Sequence, residues 1–513
     1  MEWLNWEKLK KSKNSAANIE NSISKSTSNK YYKLIKAIFY IAMFVPILTM
    51  KLGFDSDIWF LLNHGRYILN NGFPTTEPFT IHTDLNFIMQ QWLSSVIYYL
   101  AYQVGSSAAV LAITAIVYIL TVFMMYKLSM LVSDNNYPIS VILTTIFSFV
   151  ICFFVVTRPI IFSMLILLCN FYCIEKYLRT NYSIKPLIFL VINSLLLINL
   201  HASMWWLEFI LLLPYIVDSF KFKFMVFEGE GYKKSCLFIT LILMFLVGFI
   251  NPYGYKNIIY IFLSYGNSII NETIAEMQPF KFSSMIGITF YTILIIIPII
   301  YIMYNKGTVK LRYLLLTAGT SLLALMAHRN GYVFYISVFF PIAYYMKDFP
   351  DYLEKYSSYL NKSISVVLSV MMAIILTILS VIAVYDVFKD NPLPDTYEAY
   401  EYLLETNVDL DKMVAYTGYN DGAYLEFLGI KCYIDARAEV FLKSLNGESD
   451  IFEEYYLLQK GQINYKKFID KYEFTHLFVR ETDALNTYLE DDTNFRLLYW
   501  CGDIYVYQNL NLE

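Results

Sequence analysis

Long apolar runs separated by short polar loops set the pattern of this chain. Eleven runs stand out, at Leu34–Leu52, Ala108–Tyr126, Ser140–Val156, Ile160–Cys173, Pro186–Leu200, Trp205–Phe220, Cys236–Ile250, Ile286–Tyr304, Leu314–Met326, Tyr332–Tyr345 and Ser363–Val387. A helix needs about 20 apolar residues to cross a bilayer, and the shorter runs reach that length by extending into their flanks. The pattern predicts an α-helical polytopic membrane protein with about 11 transmembrane helices. The stretch Phe87–Val104 is interrupted by Gln90 and Gln91 and is more amphipathic. It is placed on the membrane surface, with a further span as the alternative.

Past Val387 the pattern changes. Asn391-Pro-Leu-Pro394 reads as a linker and Thr396–Glu405 as a helix. Met413–Tyr416, Lys431–Asp435, His476–Arg480, Arg496–Trp500 and Ile504–Tyr507 read as strands, with a helix over Glu453–Tyr472. This alternation predicts a small C-terminal α/β domain. The chain then divides into a polar leader (1–33), a multi-span domain (34–388) whose first loop is 53–106, and the α/β domain (389–513).

Composition agrees: 57% of the 513 residues are hydrophobic and 16% charged. Charge adds an orientation. Up to Lys36 there are eight lysines against three glutamates, which keeps the leader cytoplasmic and makes the first run a signal-anchor span. Alternation from there puts the lysine-rich loops on the cytoplasmic side. Asp55/Asp57, Arg158, His201, the Asn251–Tyr255 turn, Glu272, Glu276, His328 and Arg329 fall on the other side. An odd number of spans also puts the C-terminal domain outside. That region, Asp390–Glu513, has 24 acidic and 10 basic residues, a net −14, against +10 for the remainder (29 basic, 19 acidic). The basic residues lie in short loops rather than in one patch, so no nucleic-acid partner is expected. There is no Cys/His cluster for zinc and no glycine-rich nucleotide loop. Cys432 and Cys501 could pair if the tail is extracytoplasmic.

Candidate chemistry concentrates after the first run. Asp55 or Asp57 could act as a general base, or hold a divalent cation against a phosphate; either could equally cap a helix. No cofactor is certain beyond that cation option. From Asp57 the spacing is helical, with Asp57, Leu61, His64 and Ile68 on one stripe and Trp59, Leu62, Arg66 and Leu69 on another. His64 and Arg66 are therefore candidate substrate contacts. Arg158, before Pro159, offers a bidentate fork to a phosphate or snorkels at the interface. His201 precedes an interfacial Trp pair and is either structural or part of the site. Glu272 and Glu276 share a face if their stretch is helical. His328-Arg329 is an abrupt charged pair, suited to a lipid phosphate or to anchoring. The Tyr433-Ile-Asp435-Ala-Arg437 strand end could bind substrate or form a structural ion pair.

Taken in order, Asp55-Ser-Asp57-Ile-Trp59, Gly65-Arg66-Tyr-Ile-Leu, Gly72-Phe-Pro74-Thr-Thr-Glu77-Pro78-Phe and Gln91-Trp92-Leu resemble the first loop of the GT-C superfamily. These are polytopic glycosyltransferases that use polyprenyl-phosphate-linked sugars. A bacterial branch of that group is similar in the Asn251–Gly254 turn, in Ile274-Ala-Glu276-Met-Gln-Pro279 and in the Tyr433–Arg437 strand. The resemblance runs from Leu34 to about Tyr507. It implies a catalytic or metal-contacting acid at Asp55 or Asp57, and a histidine nearer Trp59 than His64 stands. It further implies a membrane glycosyltransferase taking a polyprenyl-phosphate-linked sugar donor to an envelope glycan, lipid or protein acceptor, at the extracytoplasmic face of the bilayer. A transporter or lipid flippase, or a non-catalytic envelope assembly protein with the same fold, are the rival expectations. Transporters show internal repeats and broken mid-membrane helices, and no repeat is evident here.

Overall fold

The computed structural model describes residues 40–41, 43–49, 54–233, 235–264, 266–304, 307–348, 394–406 and 408–512. The leader, most of Leu34–Leu52, the whole of Ser363–Val387 and linker residues 391–393 lie outside the described residues. The other nine apolar runs each fold as a helix.

Helix α1 (Ser56–Asn71) is the first-loop helix. Asp55 caps it by accepting from the Ile58 N–H at 3.3 Å, and Gly72, at φ 82°, ends it with an N–H bond to Ile68. Helix α2 (Trp92–Val132) is broken at Gly105 and Ser106, where Ser106 takes φ 50°. Its first part is the amphipathic Phe87–Val104 stretch. That part buries Ser94, Ser95 and Tyr98 against protein and exposes Leu100 and Val104. Gly65 of α1 meets it so closely that a Cβ there would collide with the Ser95 carbonyl oxygen and Tyr99 Cβ.

The bundle continues with α3 (Tyr137–Cys152), α4 (Ile160–Arg179), α5 (Lys185–Leu200), α6 (Trp205–Asp218) and α7 (Ser235–Val247). After the short helices α8 (Tyr255–Ser264) and α9 (Ser268–Thr273) come α10 (Met285–Tyr304), α11 (Leu311–Met326) and α12 (Gly331–Tyr345). By length and composition, α2, α4 and α10 can cross a membrane, and α3, α5, α7 and α11 are shorter apolar helices. Every residue of α12 except Tyr344 is buried. A helix apolar all round belongs at the centre of a bundle, and α12 packs on α2, α3, α10 and α11.

One end of the bundle is closed by a three-stranded sheet of β1 (Phe222–Phe224), β2 (Phe227–Gly229) and β3 (Val309–Lys310). Arg312 lies there, 1% exposed, with Nη1 at 2.7 Å from Asp218 and 2.8 Å from Glu230 and Nε at 3.3 Å from Glu175. Glu175 also pairs with Arg179, and Glu230 with Lys310. Arg312 and Arg179 thus neutralise the buried carboxylates Glu175 and Asp218.

At the other end sits the C-terminal sheet. Strands β4 (Val414–Tyr416), β5 (Lys431–Cys432), β6 (His476–Arg480), β7 (Phe495–Cys501) and β8 (Ile504–Asn509) run in the order β5-β4-β6-β8-β7, with β4 parallel to β5 and β6 and the rest antiparallel. One face packs on α13 (Thr396–Glu405) and on Leu425 of α14 (Gly422–Phe427). The other packs on α15 (Ile451–Gln459) and α16 (Tyr465–Tyr472), two helices where the sequence predicts one. Gly461, at φ 65°, makes the break. Leu85, Phe87 and Met89 of the first loop belong to this second core. The loop is also stitched to the sheet edge by Ile81 N to Cys432 O (3.0 Å) and His82 Nε2 to Tyr433 O (2.9 Å), and to the short helix Lys443–Asn446 by Asn86 N to Asn446 O (3.0 Å).

Both Cys432 and Cys501 are free thiols. They occupy β5 and β7, the two edges of the sheet. Strands spaced about 4.8 Å apart put these edges roughly 19 Å apart, far beyond the ~7 Å limit of a disulfide.

Candidate active site

The ionisable residues singled out in the sequence stand mostly where helices begin or end at the sheet-capped end of the bundle. Asp55 and Asp57 lie at the start of α1, and Arg158 just before α4. His201 ends α5, Glu276 lies in the turn Ala275–Met277, and His328-Arg329 form the turn that leads into α12. A helix end leaves backbone groups unpaired and side chains close to water, so charge is cheapest to place there.

Arg158 joins three of these groups. Its Nε donates to Asp55 Oδ2 at 2.6 Å and stands 3.1 Å from Asp57 Oδ2, while Nη1 reaches Glu276 Oε1 at 3.4 Å. The two N–H groups of Nη2 and the second one of Nη1 have no partner among the described residues. Side-chain exposures of 26% for Arg158 and 21% for Asp57 leave the cluster open on one side. Asp57 is pushed up to about 7, first by burial and then by Asp55, Glu276 and Glu439, against the opposing pull of Arg158. Asp55, tied to both Arg158 and the α1 N-terminus, is the more fixed of the pair.

His201 and Arg329 adjoin this cluster. His201 Nδ1 is 2.8 Å from Ser163 Oγ, and its ring is held neutral, with its pKa pushed down to about 3 by burial and then by the Arg329 charge. Arg329 Nη1 lies 3.4 Å from Met277 Sδ, and the His328 N–H donates to Gln278 O at 2.8 Å, so this turn is tied to the one bearing Glu276. Glu272 and Glu276 do not share a face. Helix α9 stops at Thr273 and Ile274 is extended, so Glu272 accepts from Tyr456 OH at 3.3 Å while Glu276 faces Arg158.

His64 and Arg66 have other partners. Arg66 donates to Asn63 Oδ1 at 2.7 Å and lies 4.7 Å from the ring centre of Phe427. His64 is buried, stacks on Phe79 and meets Arg437 Nη1 at 3.3 Å through Nε2. Burial, then Arg437, holds its pKa well below the usual histidine range. Arg437 is itself held by Asp435, by Glu77 at 2.9 Å and by Glu426 at 3.5 Å. The Asp435/Arg437 pair therefore sits in an ion-pair latch between the first loop and the C-terminal sheet.

Two residues at the cluster had no sequence signal of their own. Glu439, two positions past Arg437, stands close enough to raise Asp57, and Tyr419 feels both Asp57 and Arg158. The Asn251–Gly254 turn proves to be a brace: Asn251 Nδ2 bonds the carbonyls of Gly248 and Gly254, and Tyr253 OH donates to Pro74 O at 3.2 Å. Among the described residues no group of three or more His, Cys, Asp or Glu side chains is arranged to hold a metal ion.

No protein-family model matches the chain, and no curated protein matches it in sequence. Solved structures do. The oligosaccharyltransferase AglB from Archaeoglobus fulgidus, in complex with an inhibitory peptide and a dolichol-phosphate, aligns over 88% of this chain and 70% of its own, with TM-score 0.58 and 12% identity. The A. fulgidus oligosaccharyltransferase tethered to an acceptor peptide containing the NVT sequon covers 88% and 69%, with TM-score 0.55 and 13% identity. ArnT from Cupriavidus metallidurans in the apo state covers 95% and 99%, with TM-score 0.51 and 9% identity. At such low identity what is shared is architecture: over nearly the whole chain the fold is that of these neighbours, which are themselves GT-C superfamily membrane glycosyltransferases.

Proposed function

We propose that this protein is a membrane glycosyltransferase that moves a sugar from a polyprenyl-phosphate-linked donor to a cell-envelope acceptor on the extracytoplasmic side. The observation that carries this reading is Arg158, which holds both first-loop aspartates through Nε and Glu276 through Nη1, and whose other N–H groups have no partner among the described residues. A guanidinium in that state suits a phosphate, since it offers a planar fork of charge-assisted donors.

In this scheme Asp57 is the general base. It takes the proton of the acceptor hydroxyl as that oxygen attacks the anomeric carbon. The anomeric C–O bond to phosphate breaks, and its electron pair leaves on the phosphate oxygen. Arg158 compensates the charge that develops there, with Arg329 of the adjoining turn contributing. Asp55 positions Arg158, and Glu276 anchors its far edge. The AglB complex supports the scheme at the level of ligand class, since that protein of the same fold holds a dolichol-phosphate and a peptide.

Binding of farnesyl phosphate to the purified chain in detergent tests the donor assignment. Arg158→Ala removes a charge-assisted contact of about 1.5–3 kcal/mol, which corresponds to a roughly 10- to 100-fold weaker Kd. Equal affinity in the variant overturns the assignment.

A further inference from the structure

We propose that the Arg158 guanidinium occupies the seat of a divalent cation, so that the aspartates of this site work without a metal ion. The inference rests on the glycosyltransferase reading only in taking this cluster as the reaction centre. A carboxylate-rich loop beside a phosphate invites a bridging cation, which is the option the sequence leaves open. The geometry disagrees. A cation joining Asp55 to Asp57 would sit about 2.0–2.6 Å from an oxygen of each. Nε of Arg158 already stands 2.6 Å and 3.1 Å from Oδ2 of those two residues, and Nη1 covers Glu276 at 3.4 Å. An ion there would overlap the guanidinium and face its positive charge.

The backbone beneath the guanidinium is anchored as well: the Arg158 carbonyl accepts from the OH of the fully buried Tyr98 at 3.2 Å, and Pro159 fixes the next φ. Unlike a lysine, Arg158 cannot shed its proton to admit a cation. The free N–H groups of the same side chain then meet the phosphate directly, doing for the donor what a metal would.

Mn2+ titration of the full chain in detergent, followed by the electron paramagnetic resonance of free Mn2+, tests this. The wild type is expected to take up no stoichiometric Mn2+, and EDTA should leave its affinity for farnesyl phosphate within about twofold. Arg158→Gln is expected to bind one Mn2+ per chain, and adding Asp55→Asn should remove that binding. Wild-type uptake of one Mn2+ that Asp57→Asn abolishes overturns the proposal. So does loss of farnesyl phosphate binding on EDTA treatment, or a folded Arg158→Gln chain that binds no Mn2+. If Arg158→Gln does not fold, the two wild-type measurements decide. A wild type that never binds farnesyl phosphate defeats the donor reading instead, and the Mn2+ titration still stands by itself.

Discussion

At the scale of residues, the structure separates two aspartates that the sequence leaves equivalent. Asp55 caps α1 and bonds Arg158 at 2.6 Å, whereas Asp57 shares the same Nε at 3.1 Å and carries the raised pKa. If Asp57 is the base, it works only as a carboxylate. The transfer rate should then climb as pH rises through about 7 and level off above it. A flat profile from pH 5.5 to 8.5, about a unit and a half either side of that value, would remove Asp57 from the role. Stability has the opposite slope. Asp57 binds its proton more tightly in the folded chain (about 7) than at the ordinary 3.8, so its contribution to stability falls as pH rises across that window and is worst above it. Asp57→Asn should therefore abolish transfer while leaving Tm at pH 8 unchanged or raised. Asp55→Ala should lower both, since it strips a cap worth about 0.5–2 kcal/mol. A Tm loss in Asp57→Asn matching that of Asp55→Ala would make Asp57 a structural residue.

At the scale of elements, buried ion clusters fasten pieces far apart in the chain. Arg437 ties Glu77 and His64 of the first loop to Asp435 and Glu426 beside the sheet. Arg312 ties α4, α6 and the small sheet at the other end. Removing one member of a buried cluster strands the others, at a cost of about 3–5 kcal/mol. Arg312→Met leaves the fully buried Asp218 without its ion-pair partner and Glu175 with Arg179 alone, and should lower Tm in detergent sharply, whereas Lys412→Met, in an exposed Lys412–Asp409 pair, should not shift it measurably. Similar small shifts in both would show that the cluster does not bear on folding. A close helix contact works the same way without charge. Gly65→Val should wedge α1 from α2 and disturb the site through the α1 N-terminus, seen as a loss of farnesyl phosphate binding along with Tm. Retention of both would contradict the close approach.

At the scale of the whole molecule, the bundle has two unlike ends. The catalytic candidates gather under the C-terminal sheet, and Lys310, Arg312 and Lys347 lie at the opposite end. The proposed orientation puts the sheet outside the cell. A reporter enzyme fused after Val387 should accordingly be active only on the extracytoplasmic side, and cytoplasmic activity would overturn the topology. The apolar runs were legible because hydropathy is local: each of the nine runs that lie within the described residues falls on a helix, although α2 starts well before Ala108, and Gly72 marks the end of α1. The strand pattern of the C-terminal region was legible for the same reason, His476–Arg480 included. Less legible were the break between Glu272 and Glu276 and the split at Gly461, because tertiary contacts override helical spacing over one turn.

The sequence by itself determined a membrane bundle, the kind of groups that meet at its polar ends, and the resemblance that named a chemistry. Only the tertiary structure decided which of them pair. Arg158 reaches Asp55 across 103 positions, and Arg437 reaches His64 across 373, so His64 packs in the latch while Arg158, Asp57 and Glu276 form the cluster. The first loop likewise gives Leu85, Phe87 and Met89 to a core completed by residues beyond 410. The reason is physical. Periodicity records which side of an element avoids water, but an ion pair depends on where two elements come together, and that is set by the packing of every helix between them.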